Sequence, residues 1–189
     1  SLEAPLQTEG LLKQSQQLAS ELQAPRAQVE AVANALRERE SAHAGVDGLL
    51  MEASAAQAEG EFDIALPLYQ RVLTLQPTHT VALEQREDAL SDVLQQASRA
   101  LAKGDLATGA RLIAQVRGYD AGHVELPDGE AQLGRAVEQR RQRADMELRR
   151  KRPEQALANY RAVLEASPDD AAAKQGIERV ATAFAQRAA

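Results

Sequence analysis

Few residues in this chain could do acid–base or metal chemistry. The three histidines, His43, His79 and His123, lie far apart in sequence. A zinc site needs three or four converging ligands, and no HExxH or comparable spacing supplies them. The chain has no cysteine, so disulfides, thiolate metal sites and cysteine nucleophiles are absent. There is no GxSxG, no phosphate-cradling glycine loop and no GxGxxG. The carboxylates are plentiful, but they stand at helical spacings suited to surface pairs and solubility. His79 and His123 share one phase just after successive turns, which predicts solvated histidines along one edge. These residues point to no enzyme, no cofactor and no metal.

The second concentration of chemistry is cationic. Arg135, Arg140, Arg141, Arg143, Arg149, Arg150, Lys151 and Arg152 crowd one stretch, relieved by Glu138, Asp145 and Glu147. Two structural roles would account for part of it. Cations near a helix C-terminus complement its dipole, and arginine stems cover apolar surface. The functional role would be docking of an acidic peptide, a carboxylate or an anionic surface. Nucleic acid is disfavoured, because no aromatic residue is interleaved to stack on bases. The net charge of −6 also runs against phosphate binding.

The elements that must position these residues come from an internal repeat. Gly60 to Pro77 (GEFDIALPLYQRVLTLQP) and Lys151 to Pro168 (KRPEQALANYRAVLEASP) align without a gap at an offset of 91. Ala65-Leu66 meets Ala156-Leu157, Tyr69 meets Tyr160, and Val72-Leu73 meets Val163-Leu164. A fainter copy over 104–121 lies 44 residues after the first and 47 before the third, with Gly109, Ile113 and Val116 at the matching positions. Phe62, Ala65, Leu66, Tyr69, Val72 and Leu73 follow the i, i+3, i+4, i+7 spacing of one apolar helix stripe. The small residue admits a neighbouring helix, the tyrosine fills the space beside it, and the proline forces a turn.

Thr80 to Ala102 predicts a long helix that stops at Lys103-Gly104 and hands over to Asp105 as a new N-cap. A second long helix is predicted over 128–150, after a Leu126-Pro127-Asp128-Gly129 turn. Ser167-Pro168-Asp169-Asp170 predicts a restart with Ser167 as N-cap and Pro168 in the first helical position. Pro67 falls inside the first short helix. It is tolerated in a first turn if Asp63 is the N-cap; otherwise it kinks the helix. Units built this way cannot bury their faces alone, so they stack.

Ala53, Gly60, Phe62, Ala65, Tyr69, Val72, Leu73 and Pro77 together resemble the tetratricopeptide repeat. So do Ala144, Ala156, Tyr160, Val163, Leu164 and Pro168, with Lys151 where glycine is usual. The resemblance covers roughly residues 45 to 187. The spacing exceeds the family's ~34 residues, so the first helix of each unit should be extended. The bulky first-helix positions are eroded, with Leu49, Leu94 and Arg140 near where the family has large apolar residues.

The resemblance implies an all-α fold: an α–α superhelix of about three helix pairs, in units near 45–78, 79–122 and 123–168 with a closing helix at 169–187. It also implies ligands against the first helices. By motif phase, Glu138, Arg141, Asp145 and Leu148 would then face inward in the third unit, with Arg141 the leading candidate and Arg149 nearby. Ser91, Leu94, Ser98 and Leu101 would do so in the second.

Residues 1–44 form a different segment, rich in glutamine and alanine. Leu11, Leu18, Leu22, Val29, Val32 and Leu36 fall near heptad a and d positions, with Ser15 and Pro25 in two other slots. Two readings stand: a helical cap on the first repeat, or a coiled-coil arm giving a homodimer. Gly45 to Gly48 would be the joint. Aromatics at 3% leave little bulk for a deep pocketed core. No apolar run reaches the ~18 residues of a membrane span.

The opening Ser1-Leu2-Glu3-Ala4-Pro5 lacks methionine, which suggests a piece of something larger. The arginine and alanine bias suggests a bacterial source, with the chain in the cytoplasm or in the soluble part of an envelope protein. The expected function is a scaffold binding another protein or peptide, an acidic one among the candidates. Self-assembly through the arm, or service as an accessory region of a multidomain protein, are the alternatives.

Overall fold

Long and short helices alternate along the chain in the computed structural model, which describes the backbone over residues 4–188 and side chains over 12–17 and 26–186. The described residues form seven helices: α1 (Ala4–Ala58), α2 (Phe62–Leu75), α3 (Thr80–Ala102), α4 (Leu106–Tyr119), α5 (Leu126–Arg149), α6 (Pro153–Ala166) and α7 (Ala171–Ala188). No strand occurs among them, and none of these helices is long and apolar enough to cross a membrane.

The chain divides into two units, Ser1–Met51 and Glu52–Ala189. In the first, α1 runs without a break through Gly45 and Gly48. Val29, Val32 and Leu36 are exposed on it. The side chains of Leu11, Leu18, Leu22 and Pro25 lie outside the described residues.

In the second unit α2, α4 and α6 are each 14 residues long and start 44 and then 47 residues apart, the offsets of the sequence repeat. Equivalent positions are buried in all three: Phe62, Leu106 and Pro153 at the start, then Ala65, Gly109 and Ala156, then Tyr69, Ile113 and Tyr160, then Val72, Val116 and Val163. Ala53, Ala97 and Ala144 mark the same register in the long helices, each at 1% exposure or less. Burying this one recurrent stripe is the main source of stability, since helices this short are marginal alone. α2 packs on α3, α4 on α3 and α5, and α6 on α5 and α7. Consecutive long helices also meet, α3 with α5 and α5 with α7. α7 stands in the phase of a long helix.

The turns within and between pairs are each built to one recurring pattern. After each long helix comes a left-handed residue, Gly60 at φ 75°, Gly104 at φ 83° and Lys151 at φ 60°. Before each following long helix comes an acceptor, His79, His123 or Asp170, at the same 44- and 47-residue offsets. His79 Nδ1 accepts from Ala82 N–H at 3.2 Å, and Asp170 Oδ1 accepts from Ala173 N–H at 2.8 Å. Each satisfies a donor that a helix start leaves orphaned.

Several sequence expectations shift at these turns. α7 starts at Ala171, capped by Asp170, while Ser167 closes α6. The carboxylate is the stronger acceptor, and Pro168 lies in the turn. α5 starts at Leu126, with Pro127 taken into its first turn, where a missing N–H costs nothing. Glu61, not Asp63, precedes α2, so Pro67 is internal to that helix.

Candidate functional site

His123 is not a solvated turn residue, whereas His43 is exposed on α1 and His79 is half-buried. His123 is only 3% exposed, and its ring is locked among polar neighbours. Nδ1 accepts from Glu125 N–H at 3.3 Å. That leaves the ring proton on Nε2, which faces Ser91 Oγ at 3.5 Å and Glu87 Oε2 at 3.6 Å. Ser91, a histidine and a glutamate thus meet, but in the wrong order for nucleophilic catalysis. A general base needs its free nitrogen toward the hydroxyl and its N–H toward the carboxylate. Here the free nitrogen is spent on the backbone, and Ser91 donates to Glu125 Oε1 at 3.1 Å. Arg86 closes the cluster, reaching Glu87 at 3.0 Å and Asp120 at 3.9 Å. Among the described residues no three metal-ligating side chains converge.

The basic stretch is largely consumed by the fold. Arg140 Nη2 donates to the Gly104 carbonyl at 2.7 Å, so this cation caps the C-terminus of α3 rather than of its own helix. Arg141 bridges Glu138 and Asp170, at 3.0 Å from the latter. Arg150 and Arg152 both turn to Glu147. Asp145 accepts from Tyr160 Oη at 2.5 Å and from Arg179 at 2.8 Å. Burial, then the Asp145 hydrogen bond and charge, push the Tyr160 hydroxyl up to about 12. Arg149 is exposed, and its charge acts on Tyr160 in the opposite sense. Leu148 packs against the Tyr160 core cluster.

Both sets of sequence candidates fall in one kind of place. Ser91, Leu94, Ser98 and Leu101 stand 47 residues before Glu138, Arg141, Asp145 and Leu148. The first set faces α5, and the second faces α7. In the α5–α7 seam the charged side chains reach across and pair at Arg141 and Asp145, and only beyond them does a depression of about 380 Å³ open between Leu148, Arg179 and Thr182. In the α3–α5 seam the equivalent residues are short, and the seam stays open. One depression there, of about 490 Å³, is lined by Ser91, Leu94, Ser98, Asp128 and Gln132 among others. Its floor is close-packed: a Cβ on Gly129 would come within 3.2 Å of Leu94 Cδ2. A second, of about 260 Å³, continues the seam past Leu101 to Lys103, Arg140 and Arg143.

The α5 wall of this groove, Asp128 and Gln132 above all, was not among the sequence candidates. α5 presents one face to α3 and another to α7, and the motif phase marks the second. The chain matches no known protein-family model and no curated protein.

Proposed function

We propose that this protein is a tetratricopeptide-like interaction module that binds an extended polypeptide segment along the α3–α5 groove. The observation that carries this reading is the contrast between two equivalent seams. Where Glu138, Arg141 and Asp145 stand, α5 and α7 are tied together by Arg141–Asp170 and Asp145–Arg179. Where Ser91, Leu94 and Ser98 stand, Ser91 reaches Glu125 but nothing bridges at Leu94 or Ser98, and an open depression of about 490 Å³ with both polar and apolar walls remains. Such a preformed groove offers hydroxyl and amide groups to a peptide backbone at little ordering cost. Arg141, Asp145 and Glu138 serve this reading by holding the array rather than by touching the ligand. Leu94 and Ser98 line the ligand's path.

The test is to fill the groove. Ser98→Trp should abolish binding of peptides selected on the protein from a ten-residue array. Arg161→Trp, on the exposed face of α6, should leave it unchanged. Equal binding by both variants would refute the groove.

A second reading rests on α1. Val29, Val32 and Leu36 are 69%, 60% and 54% exposed at helical spacing, a stripe suited to pairing with a second copy. Light scattering decides it: a dimer that becomes a monomer on removal of residues 1–44 supports self-assembly, and a monomeric intact chain excludes it.

A further inference from the structure

From the distribution of charge along the α3–α5 groove we infer that its ligand is bipolar: a cationic residue at one end and a carboxylate about seven residues away. This rests on the groove reading above and specifies its ligand. At the N-terminal end of α5 the groove carries Asp92, Glu125 and Asp128, all exposed. At the C-terminal end of α3 it carries Lys103 and Arg143, also exposed, beside Arg140. Between them lie only neutral side chains, with Gln95, Ser98 and Gln132 on the walls.

The charges at the two ends are unspent. Asp92, Asp128, Lys103 and Arg143 form no ion pair with any described residue, whereas Arg141 and Asp145 in the neighbouring seam are both paired. Arg140 is committed to the Gly104 carbonyl, so Lys103 and Arg143 are the cations open to a ligand. Helix geometry sets the spacing. From Asp128 to Arg143 along α5 is ~22 Å at ~1.5 Å per residue. An extended chain covers that in about seven residues at ~3.3 Å each. The two ends are therefore too far apart for one side chain to satisfy both, and like charges at both ends of a ligand would set one against the groove. A uniformly acidic peptide, which the arginine-rich stretch by itself suggests, would be repelled by Asp92 and Asp128.

The experiment uses the full chain and an array of ten-residue peptides on a neutral Ala/Ser/Tyr background. Each peptide carries two charged residues: Lys and Glu, Glu and Glu, or Lys and Lys, at every separation. Lys/Glu peptides separated by six to eight residues should bind best, about tenfold over either like-charged set, with the margin shrinking as salt screens the ends. The double variant Lys103→Glu with Arg143→Glu puts free carboxylates at both ends of the groove, and its preference should pass to Lys/Lys peptides. Both residues are exposed, and far-ultraviolet circular dichroism checks that the variant folds. Binding without a bipolar preference, or a preference unchanged in the variant, would overturn this inference and leave the groove standing. Binding of no peptide at all would overturn the groove itself.

Discussion

Lys151 stands where Gly60 and Gly104 stand in the preceding units and takes the same left-handed backbone, at φ 60°. A Cβ in that region costs about 1–2 kcal/mol, while glycine there surrenders more chain entropy on folding. The steric saving is the larger of the two, so Lys151→Gly should be more stable by about 0.5–1 kcal/mol than Lys151→Ala, which removes the same side chain but keeps the Cβ, read as a higher urea midpoint with an unchanged slope. Tyr160 gives a pH prediction. Its folded hydroxyl is pushed up to about 12, whereas an unfolded tyrosine ionises near ~10. Its contribution is fully present below ~10 and is lost as the pH rises from there through about 12, because the unfolded chain gives up the proton first. Chemical denaturation at intervals up to pH 12 should show this decline. Tyr160→Phe should flatten it, although Tyr69 and Tyr119, also raised by burial, leave a residue of the effect.

At the scale of elements, Pro67 is internal to α2 and removes one rung of its hydrogen-bond ladder. It is exposed, so Pro67→Ala should restore the rung without disturbing the core and stabilise the fold by about 1–3 kcal/mol. Gly176→Ala should do the reverse. The helix gains about 1 kcal/mol of propensity, but the new Cβ would lie 2.4 Å from the Tyr160 ring. That ring is fully buried and tied to Asp145, so overpacking of about 1–3 kcal/mol wins. Thermal unfolding would show a lowered midpoint.

The elements themselves were legible in the sequence because small and bulky residues recur at fixed positions. The boundaries of α3 follow from Thr80 and the Lys103-Gly104-Asp105 stop as they stand. The other helix starts were less legible, because several residues in each turn can cap. Ser167-Pro168 has the composition of a helix start, but Asp170 takes the role, since its carboxylate also draws Arg141. His123 resembles a solvated turn residue in sequence. Only the packing of α5 over it shows that its ring is buried among Glu87, Ser91 and Glu125.

For the whole molecule, the candidate site was half legible. Motif phase brings Leu94 and Ser98 to the seam between long helices. It also brings Arg141 and Asp145 to an equivalent seam, and no periodicity tells that this one is bridged at those two residues. Side-chain reach decides that: Leu94 and Ser98 leave room where Arg141 and Asp145 bridge. The α5 wall was missed because one helix serves two seams with two different faces. Binding of a peptide in the open α3–α5 seam is the function proposed for the protein. It is tested most directly by titrating isotopically labelled protein with the tightest Lys/Glu peptide and mapping amide shifts. Changes should concentrate at Ser91, Ser98, Gln132 and Arg143. No change at millimolar peptide, or changes confined to α1 around Val29, Val32 and Leu36, would contradict it.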